Sequence, residues 1–205
     1  MQALSGYRIA FLVDDGFQQL ELTECAEALL DADAEIEIVA PLAGRVRAQN
    51  LVRPGMKFSV DRTIDGLRID DFDALVIPGG QASIEKLRRD GRAIEVVRGF
   101  VAQGKPIGAI GLGPALLIEA RAIEGKRVVA NPNLRGELER AGGQIGEDGA
   151  LFDGPIVTAR GLEDVVAFSK MLVELIAGGM WKRPAQQATA DRRPRAREQQ
   201  RRQAM

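Results

Sequence analysis

Histidine is absent from this chain of 205 residues. Without an imidazole the protein cannot use Ser-His-Asp or Cys-His catalysis, a histidine-bound metal or a histidine pH switch. Carboxylates, lysines and one tyrosine remain for acid–base chemistry. The enzyme and metal-site classes built on histidine are therefore excluded.

Cysteine is nearly absent as well, since Cys25 is the only one. A single thiol excludes an internal disulfide and a thiolate-built zinc site, and it fits a reducing cytoplasm. Because Cys25 falls within a helical apolar pattern, we interpret it as a small buried hydrophobe rather than a reactive thiol. We expect a cytoplasmic protein that needs neither a metal nor a cofactor.

Long apolar runs are also missing. No segment approaches the roughly 20 apolar residues that a membrane-spanning helix needs, and the N-terminal residues lack the basic and apolar regions of a signal peptide. The sequence therefore predicts no membrane partner.

The charges are distributed unevenly along the chain. From Lys182 onward, eight Lys or Arg face two acidic residues, which leaves a net charge of −7 on the preceding residues because the whole chain carries −1. We predict a globular domain at 1–181 and a basic tail, flexible or helical, at 182–205. No aromatic residues are interleaved with the tail's cations, which disfavours nucleic acid. A partner or nucleic-acid adaptor acting through the tail remains an alternative.

Apolar runs alternate with helical patterns, which is typical of a doubly wound, mostly parallel sheet. The irregular segment 44–64, with Pro54-Gly55 as a turn signal, predicts a small β-hairpin outside the main sheet. The main strands are expected at Tyr7–Val13, Ala34–Pro41, Asp71–Ile77, Ile107–Ile110 and Gly154–Ala159.

One strand breaks abruptly into a helix. Ile107–Ile110 is followed by a sharp turn, and Pro114 suits the first turn of the next helix because its missing N–H needs no partner there. Such a turn holds the nucleophile in many α/β hydrolases. Here its tip is Gly111, which has no side chain.

These landmarks together resemble the ThiJ/PfpI family of the class I glutamine amidotransferase-like superfamily. The resemblance covers about residues 7–177 and implies a flavodoxin-like fold, with helices on both faces of the sheet, and a homodimer. The motifs that carry it are Gly16-Phe17-Gln18-Gln19-Leu20-Glu21, Pro78-Gly79-Gly80, Gly104-Lys105-Pro106, Gly113-Pro114-Ala115-Leu116-Leu117 and Thr158-Ala159-Arg160.

The resemblance implies a cysteine enzyme, because active members carry a Cys-His elbow and a glutamate bonded to the thiol. Members are credited with peptidase, glyoxalase, deglycase, isonitrile hydratase and chaperone-like activities. In this sequence the cysteine position is Gly111, the histidine position is Leu112, and we assign the glutamate position to Gly16. The resemblance therefore implies a pseudoenzyme without catalytic residues.

The remaining groups can still form a pocket. In the family pattern, backbone N–H groups near Gly80 and Leu112 hold an oxyanion, so a small carbonyl or carboxylate is the expected ligand. A vestigial pocket, or one filled by Leu112, remains the alternative. For Arg160 we favour an ion pair over a role as anion ligand. The candidate pocket residues are Asp15, Gly79, Gly80, Leu112, Gly113 and Arg160.

Three acids, Asp14, Asp15 and Glu21, come close to the end of the first strand. Paired carboxylates there can serve acid–base or metal chemistry, but we interpret them as solvated turn and N-cap acids. The sequence thus predicts a non-catalytic small-molecule-binding or scaffold protein. The alternative is a hydrolase- or lyase-type enzyme of the family that uses other groups.

Overall fold

The computed structural model describes residues 3–178. The basic tail predicted at 182–205 lies outside them. The strands are β1 (Arg8–Leu12), β2 (Glu35–Ala40), β3 (Arg45–Asn50), β4 (Arg53–Ser59), β5 (Arg62–Thr63), β6 (Ala74–Ile77), β7 (Ile107–Ile110), β8 (Arg127–Val128), β9 (Gln144–Ile145), β10 (Ala150–Asp153) and β11 (Ile156–Ala159). The α-helices are α1 (Gln19–Asp31), α2 (Gln81–Arg89), α3 (Gly91–Ala102), α4 (Pro114–Glu119), α5 (Arg135–Arg140) and α6 (Val165–Ala177).

Seven strands form the main sheet, in the order β10-β11-β7-β6-β1-β2-β5. All neighbours pair in parallel except β10 and β11. Every residue of β1, β6, β7 and β11 is buried, as expected for strands covered on both faces. The predicted doubly wound, mostly parallel fold is confirmed.

Two separate apolar clusters cover the two faces of this sheet. One includes α1 and α6 packed on alternate residues of β1, and the other includes α2, α3 and α4 on the opposite residues. Cys25 is completely buried in the first cluster, as its pattern predicts. Because all strands of the main sheet except β10 run parallel, their carboxyl ends lie at one edge of the sheet. In open α/β sheets, ligands bind at this edge.

The predicted hairpin is present as a two-stranded sheet of β3 and β4. Two details differ from the expectation. The turn lies at Leu51 and Val52, whereas the predicted turn residues Pro54 and Gly55 lie within β4. In addition, β5 leaves the irregular segment to extend the main sheet beside β2. The antiparallel β10 was not predicted, because a run of three apolar residues followed by Asp153 is too short to distinguish a strand from a loop.

Lys105 of the Gly-Lys-Pro motif is 1% exposed. Its ammonium group donates to the carbonyl oxygens of Ile69 (2.8 Å) and Phe72 (2.6 Å). A buried lysine is tolerated only when its charge is paired or hydrogen-bonded. This side chain therefore ties the start of β7 to the segment before β6. Among residues 3–178, no helix has the length and apolar character needed to cross a bilayer.

Candidate functional site

The turn after β7 lies at the carboxyl edge of the sheet. Gly111 adopts a φ of +63°, which favours glycine. Its N–H donates to the Ala159 carbonyl and its carbonyl accepts from the Asn131 N–H, both at 3.0 Å. Pro114 occupies the first turn of α4, as predicted. The backbone of a nucleophile elbow is therefore present without a side chain at its tip.

Glu21, in the first turn of α1, supplies a carboxyl group at this turn. It is 5% exposed, and its Oε2 accepts a hydrogen bond of 2.6 Å from the Gly79 N–H. Burial raises the pKa of Glu21 from 4.5 to about 7, although the Gly79 hydrogen bond opposes the shift. Near neutral pH this carboxyl group is therefore only partly ionised.

The approach of Glu21 depends on glycines from separate loops. A β-carbon at position 111 would lie 2.7 Å from Glu21 Oε1 and 3.1 Å from Oε2. A β-carbon at Gly79 would lie 2.8 Å from Oε2, and one at Gly161 would lie 3.9 Å from Oε1. The carboxyl group thus occupies the space that the first side-chain atom of residue 111 would need.

The interpretation of Glu21 as a solvated turn acid is wrong. The buried face of α1 contains Glu21 together with Leu22, Cys25, Ala26 and Leu29. A sequence signal was available, because Glu21 precedes the buried Cys25 by four residues and so lies on the same helical face. Sequence reasoning missed it because acidic residues are commonly exposed in a first helical turn.

Asp14 and Asp15 have structural partners. The Asp14 N–H donates to Ser83 Oγ (2.9 Å), and Lys86 Nζ lies 3.4 Å from Asp14 Oδ1. Asp15 Oδ1 accepts from the Arg47 N–H at 2.6 Å. These acids join the first turn to α2 and to the hairpin. Within residues 3–178, no group of three or more His, Cys, Asp or Glu side chains is arranged to hold a metal.

Gly16 does not face Gly111. Its φ is +92°, and its N–H donates to the Arg47 carbonyl (2.8 Å). A β-carbon there would lie 2.6 Å from the β-carbon of Ala82 in α2. The geometry does not support Gly16 as the position of a carboxyl group at the elbow, since Glu21 supplies that carboxyl.

Gly79 and Leu112 lie beside the Glu21 carboxyl, whereas Gly80 packs against the first turn, where a β-carbon would meet Gly16 and Phe17. A β-carbon at Gly79 would lie 2.9 Å from the Leu112 nitrogen, so the two loops are in close contact. Within residues 3–178, the N–H groups of Gly80 and Leu112 donate to no protein acceptor. The half-buried Leu112 side chain packs against the apolar cluster under α4. Gly113 is buried and its N–H donates to the Ile110 carbonyl (2.9 Å), so it helps to close the turn.

Arg160 follows β11 at the same edge of the sheet. Its Nε lies 3.1 Å from Asp164 Oδ2, which confirms the predicted ion pair. The side chain also lines a cavity of about 180 Å³ with Val129, Pro132, Arg135, Leu138 and Ile145. Of the predicted pocket residues, Gly79 and Leu112 thus meet at the elbow. Gly80 packs against the first turn, and Asp15 is bonded to the hairpin.

Known proteins with similar sequences match most of this chain. The sequence is 31% identical over 172 residues to general stress protein 18 of Bacillus subtilis strain 168, covering 83% of this chain and 98% of that protein. It is 32% identical over 170 residues to protein/nucleic acid deglycase 2 of Escherichia coli strain K12, covering 82% and 97%.

A solved structure shows the same fold. The ThiJ/PfpI domain protein of Brachyspira murdochii matches with a TM-score of 0.78 at 20% identity, covering 85% of this chain and 98% of that one. The sequence model of the DJ-1/PfpI family matches residues 7–175, which include the first turn, the Gly-Gly loop and the elbow. With its sheet order, its elbow and its relatives all in agreement, the chain belongs to the DJ-1/PfpI family.

Proposed function

We propose that this protein is a non-catalytic member of the family, a pseudoenzyme that binds a small carboxylate or carbonyl compound at the elbow. The observation that carries the proposal is the Glu21 carboxyl group in the space of a side chain on Gly111. The position from which a nucleophile would attack has no reactive group and is partly filled by a carboxyl.

Within residues 3–178, no other residue takes over the role of a nucleophile at this turn. Cys25 is completely buried, and burial raises the pKa of its thiol to about 12 despite a hydrogen bond to Ser169. Such a thiol is inert at neutral pH, because the thiolate is the nucleophilic form. Leu112 can neither accept nor donate a proton through its side chain.

The binding groups at the elbow do not depend on a nucleophile. The N–H groups of Gly80 and Leu112 can donate to a ligand oxygen. Below pH 7 the protonated Glu21 carboxyl can donate a further hydrogen bond. This donor set favours a ligand that presents an oxygen acceptor, as carboxylates and carbonyl compounds do.

The second candidate is a family enzyme that uses Glu21 as its only acid–base group. The relative from Escherichia coli is named a deglycase, and a carboxyl with a pKa near the working pH suits proton transfer. A deglycase-, glyoxalase- or lyase-type reaction through Glu21 needs no thiol in its proton-transfer step. The enzymatic candidate and the binding proposal thus involve the same residues.

The cellular setting is part of the proposal. A single buried thiol is consistent with a reducing cytoplasm, and one relative is named a general stress protein. We therefore place this protein in the cytoplasm, as a homodimer with a binding or scaffold role under stress.

Amide NMR spectra test the binding proposal. Acetate and acetamide, a charged and a neutral probe of similar size, are titrated into the full chain at pH 6. We expect saturable shifts of the Gly80 and Leu112 amide signals with at least one probe. Glu21→Gln should keep the anion response, because the two backbone donors remain.

The same titration can contradict the proposal. If neither amide shifts at up to 50-fold excess of either probe, the elbow binds no such ligand. A shift confined to residues around Arg160 would place binding in the neighbouring cavity and would also overturn the elbow site.

A further inference from the structure

The cavity of about 180 Å³ that Arg160 lines lies next to the elbow. Ala130 and Arg160, in its walls, are the chain neighbours of Asn131 and Ala159, which both bond to the backbone of Gly111. The cavity is smaller than the roughly 300 Å³ at which pockets for drug-sized ligands begin. Its volume therefore restricts the ligand to a small molecule.

The loop after β9 is fixed in place around this cavity. The Gly146 N–H donates to the Val128 carbonyl (2.9 Å), and the Gly149 carbonyl accepts from the Arg160 N–H (3.0 Å). A β-carbon on Gly149 would collide with the Asp164 carboxylate, so the close approach of this loop depends on the glycine. The cavity is thus preformed, which lowers the entropy cost of binding.

Apolar side chains line the buried part of the cavity. Val129 and Leu138 are each 1% exposed, and Ile145 is half-buried. Burial of an aliphatic group against such a lining is favourable, because it removes apolar surface from water. The ligand is therefore expected to carry a short aliphatic group.

Two exposed arginines of the lining keep hydrogen-bond donors available for a ligand. Asp164 accepts from Nε and Nη2 of Arg160 (3.1 and 3.5 Å), and Glu139 accepts from Nε of Arg135 (3.1 Å). Within residues 3–178, Nη1 of Arg160 and both Nη groups of Arg135 donate to no protein acceptor. Because a guanidinium has five donors in a fork that matches a carboxylate, each arginine presents a second edge to an anionic group.

The third charged side chain of the lining is Glu147. It is exposed and forms no ion pair within residues 3–178. Together with the two arginines and their partners Glu139 and Asp164, it gives the surroundings of the cavity a net negative charge. This charge disfavours a purely anionic ligand, whereas a simple amine would leave the arginine donors unused. A zwitterion satisfies both kinds of group.

We propose that this cavity binds a free α-amino acid with a short aliphatic side chain, such as leucine. Arg135 and Arg160 bind its carboxylate. Glu147 binds its ammonium group, and the aliphatic side chain packs on the apolar lining. The amino acid lies outside the elbow, so this site does not depend on the carboxylate or carbonyl compound proposed there.

An NMR titration of the full chain with L-leucine at neutral pH tests the proposal. We expect saturable shifts of the methyl signals of Val129, Leu138 and Ile145. Isocaproate lacks the ammonium group and L-leucinamide lacks the carboxylate, so each should bind roughly tenfold more weakly than L-leucine. The Gly80 and Leu112 amides report the elbow separately in the same spectra, so either proposal can fail without the other.

Charge variants identify the groups that bind the amino acid. Glu147→Gln should weaken L-leucine binding roughly tenfold without weakening isocaproate, because only the amino acid carries an ammonium group. Arg135→Gln should weaken both ligands. Asp148→Asn in the same loop and Arg140→Gln on the same helix are the matched controls at exposed positions, and they should change neither.

Four results would overturn the proposal. The methyl signals do not shift saturably at millimolar L-leucine, or isocaproate binds as tightly as L-leucine, in which case the cavity selects an anion. Arg135→Gln leaves L-leucine binding unchanged, or Glu147→Gln weakens both ligands equally, which would indicate a structural effect and not a contact with the ammonium group.

Discussion

Glu21 Oε1 lies 2.7 Å from the point where a β-carbon on Gly111 would stand. The two residues are ninety positions apart in the chain, and the fold brings them together through α1 and the turn after β7. The carboxyl is held there by the Gly79 N–H. The proposed function depends on this relationship, because a carboxyl group lies where enzymes of this architecture need a nucleophile.

The pH dependence of stability should report the buried carboxyl. The folded chain keeps the Glu21 proton up to about pH 7, whereas the unfolded chain loses it above about 4.5. The contribution of Glu21 to the free energy of unfolding is therefore fully present below pH 4.5. It decreases by about 3 kcal/mol in total as the pH rises from 4.5 through 7. Urea unfolding at pH 4.5 and pH 8 measures it.

The matched variants for that experiment are Glu21→Gln and Glu27→Gln, on the same helix. Glu21→Gln should lose most of the fall in stability between the two pH values, while the exposed Glu27→Gln should keep it. Equal pH dependence in the parent and in Glu21→Gln would contradict a raised pKa at Glu21.

A side chain at position 111 should conflict with Glu21. Gly111→Ala places a methyl group against the carboxyl and also adopts a φ of +63°, so we expect a loss of about 2 kcal/mol. In a Glu21→Ala background the steric part disappears and about 1 kcal/mol should remain. A double-mutant cycle with no coupling between the two substitutions would show that the residues do not meet.

A thiol introduced at the elbow should be reactive, unlike the native one. With a disulfide reagent such as DTNB, the folded parent should react with no equivalent per chain because Cys25 is buried. Gly111→Cys should react with one equivalent, and with two after unfolding in guanidinium. If the folded variant gives no reaction, position 111 is closed to solvent and to ligands.

Lys105 should be needed for stability. Lys105→Met leaves the carbonyl oxygens of Ile69 and Phe72 without this donor, and we expect a loss of about 3 kcal/mol in urea unfolding. Lys170→Met, at a position 76% exposed on α6, is the matched control and should change stability by less than about 0.5 kcal/mol. Similar effects for both variants would contradict a tie between β7 and the segment before β6.

The fold could be predicted because its signals are local. Apolar runs such as Ile107–Ile110 and the proline that opens α4 depend only on neighbours in sequence. The spacing of Glu21 from Cys25 indicates a buried helical face, but the contact of its carboxyl group with the elbow could not be predicted in the same way. That contact depends on the close approach of Gly79 and Gly111, which lie in two loops far apart in the chain.

The strand β10 shows a second limit of local signals. Its pairing with β11 depends on a turn at Gly154-Pro155, where Gly154 has a φ of +59°. The sequence alone indicated no strand there, since so short an apolar run does not distinguish a strand from a loop. A hairpin within residues 44–64 was predicted, but its exposed apolar turn at Leu51 and Val52 became visible only from the structure.

The most direct test of the central claim is turnover by the purified full chain on methylglyoxal, glycated amino acids and peptides at pH 6 to 8. Glu21→Gln is assayed beside the parent, and Gly111→Cys/Leu112→His serves to ask whether reactive groups alone are missing. We predict that neither the parent nor Glu21→Gln converts any of these substrates faster than buffer alone does. Parent turnover that disappears in Glu21→Gln would contradict the binding role and establish an enzyme that works through this carboxyl group.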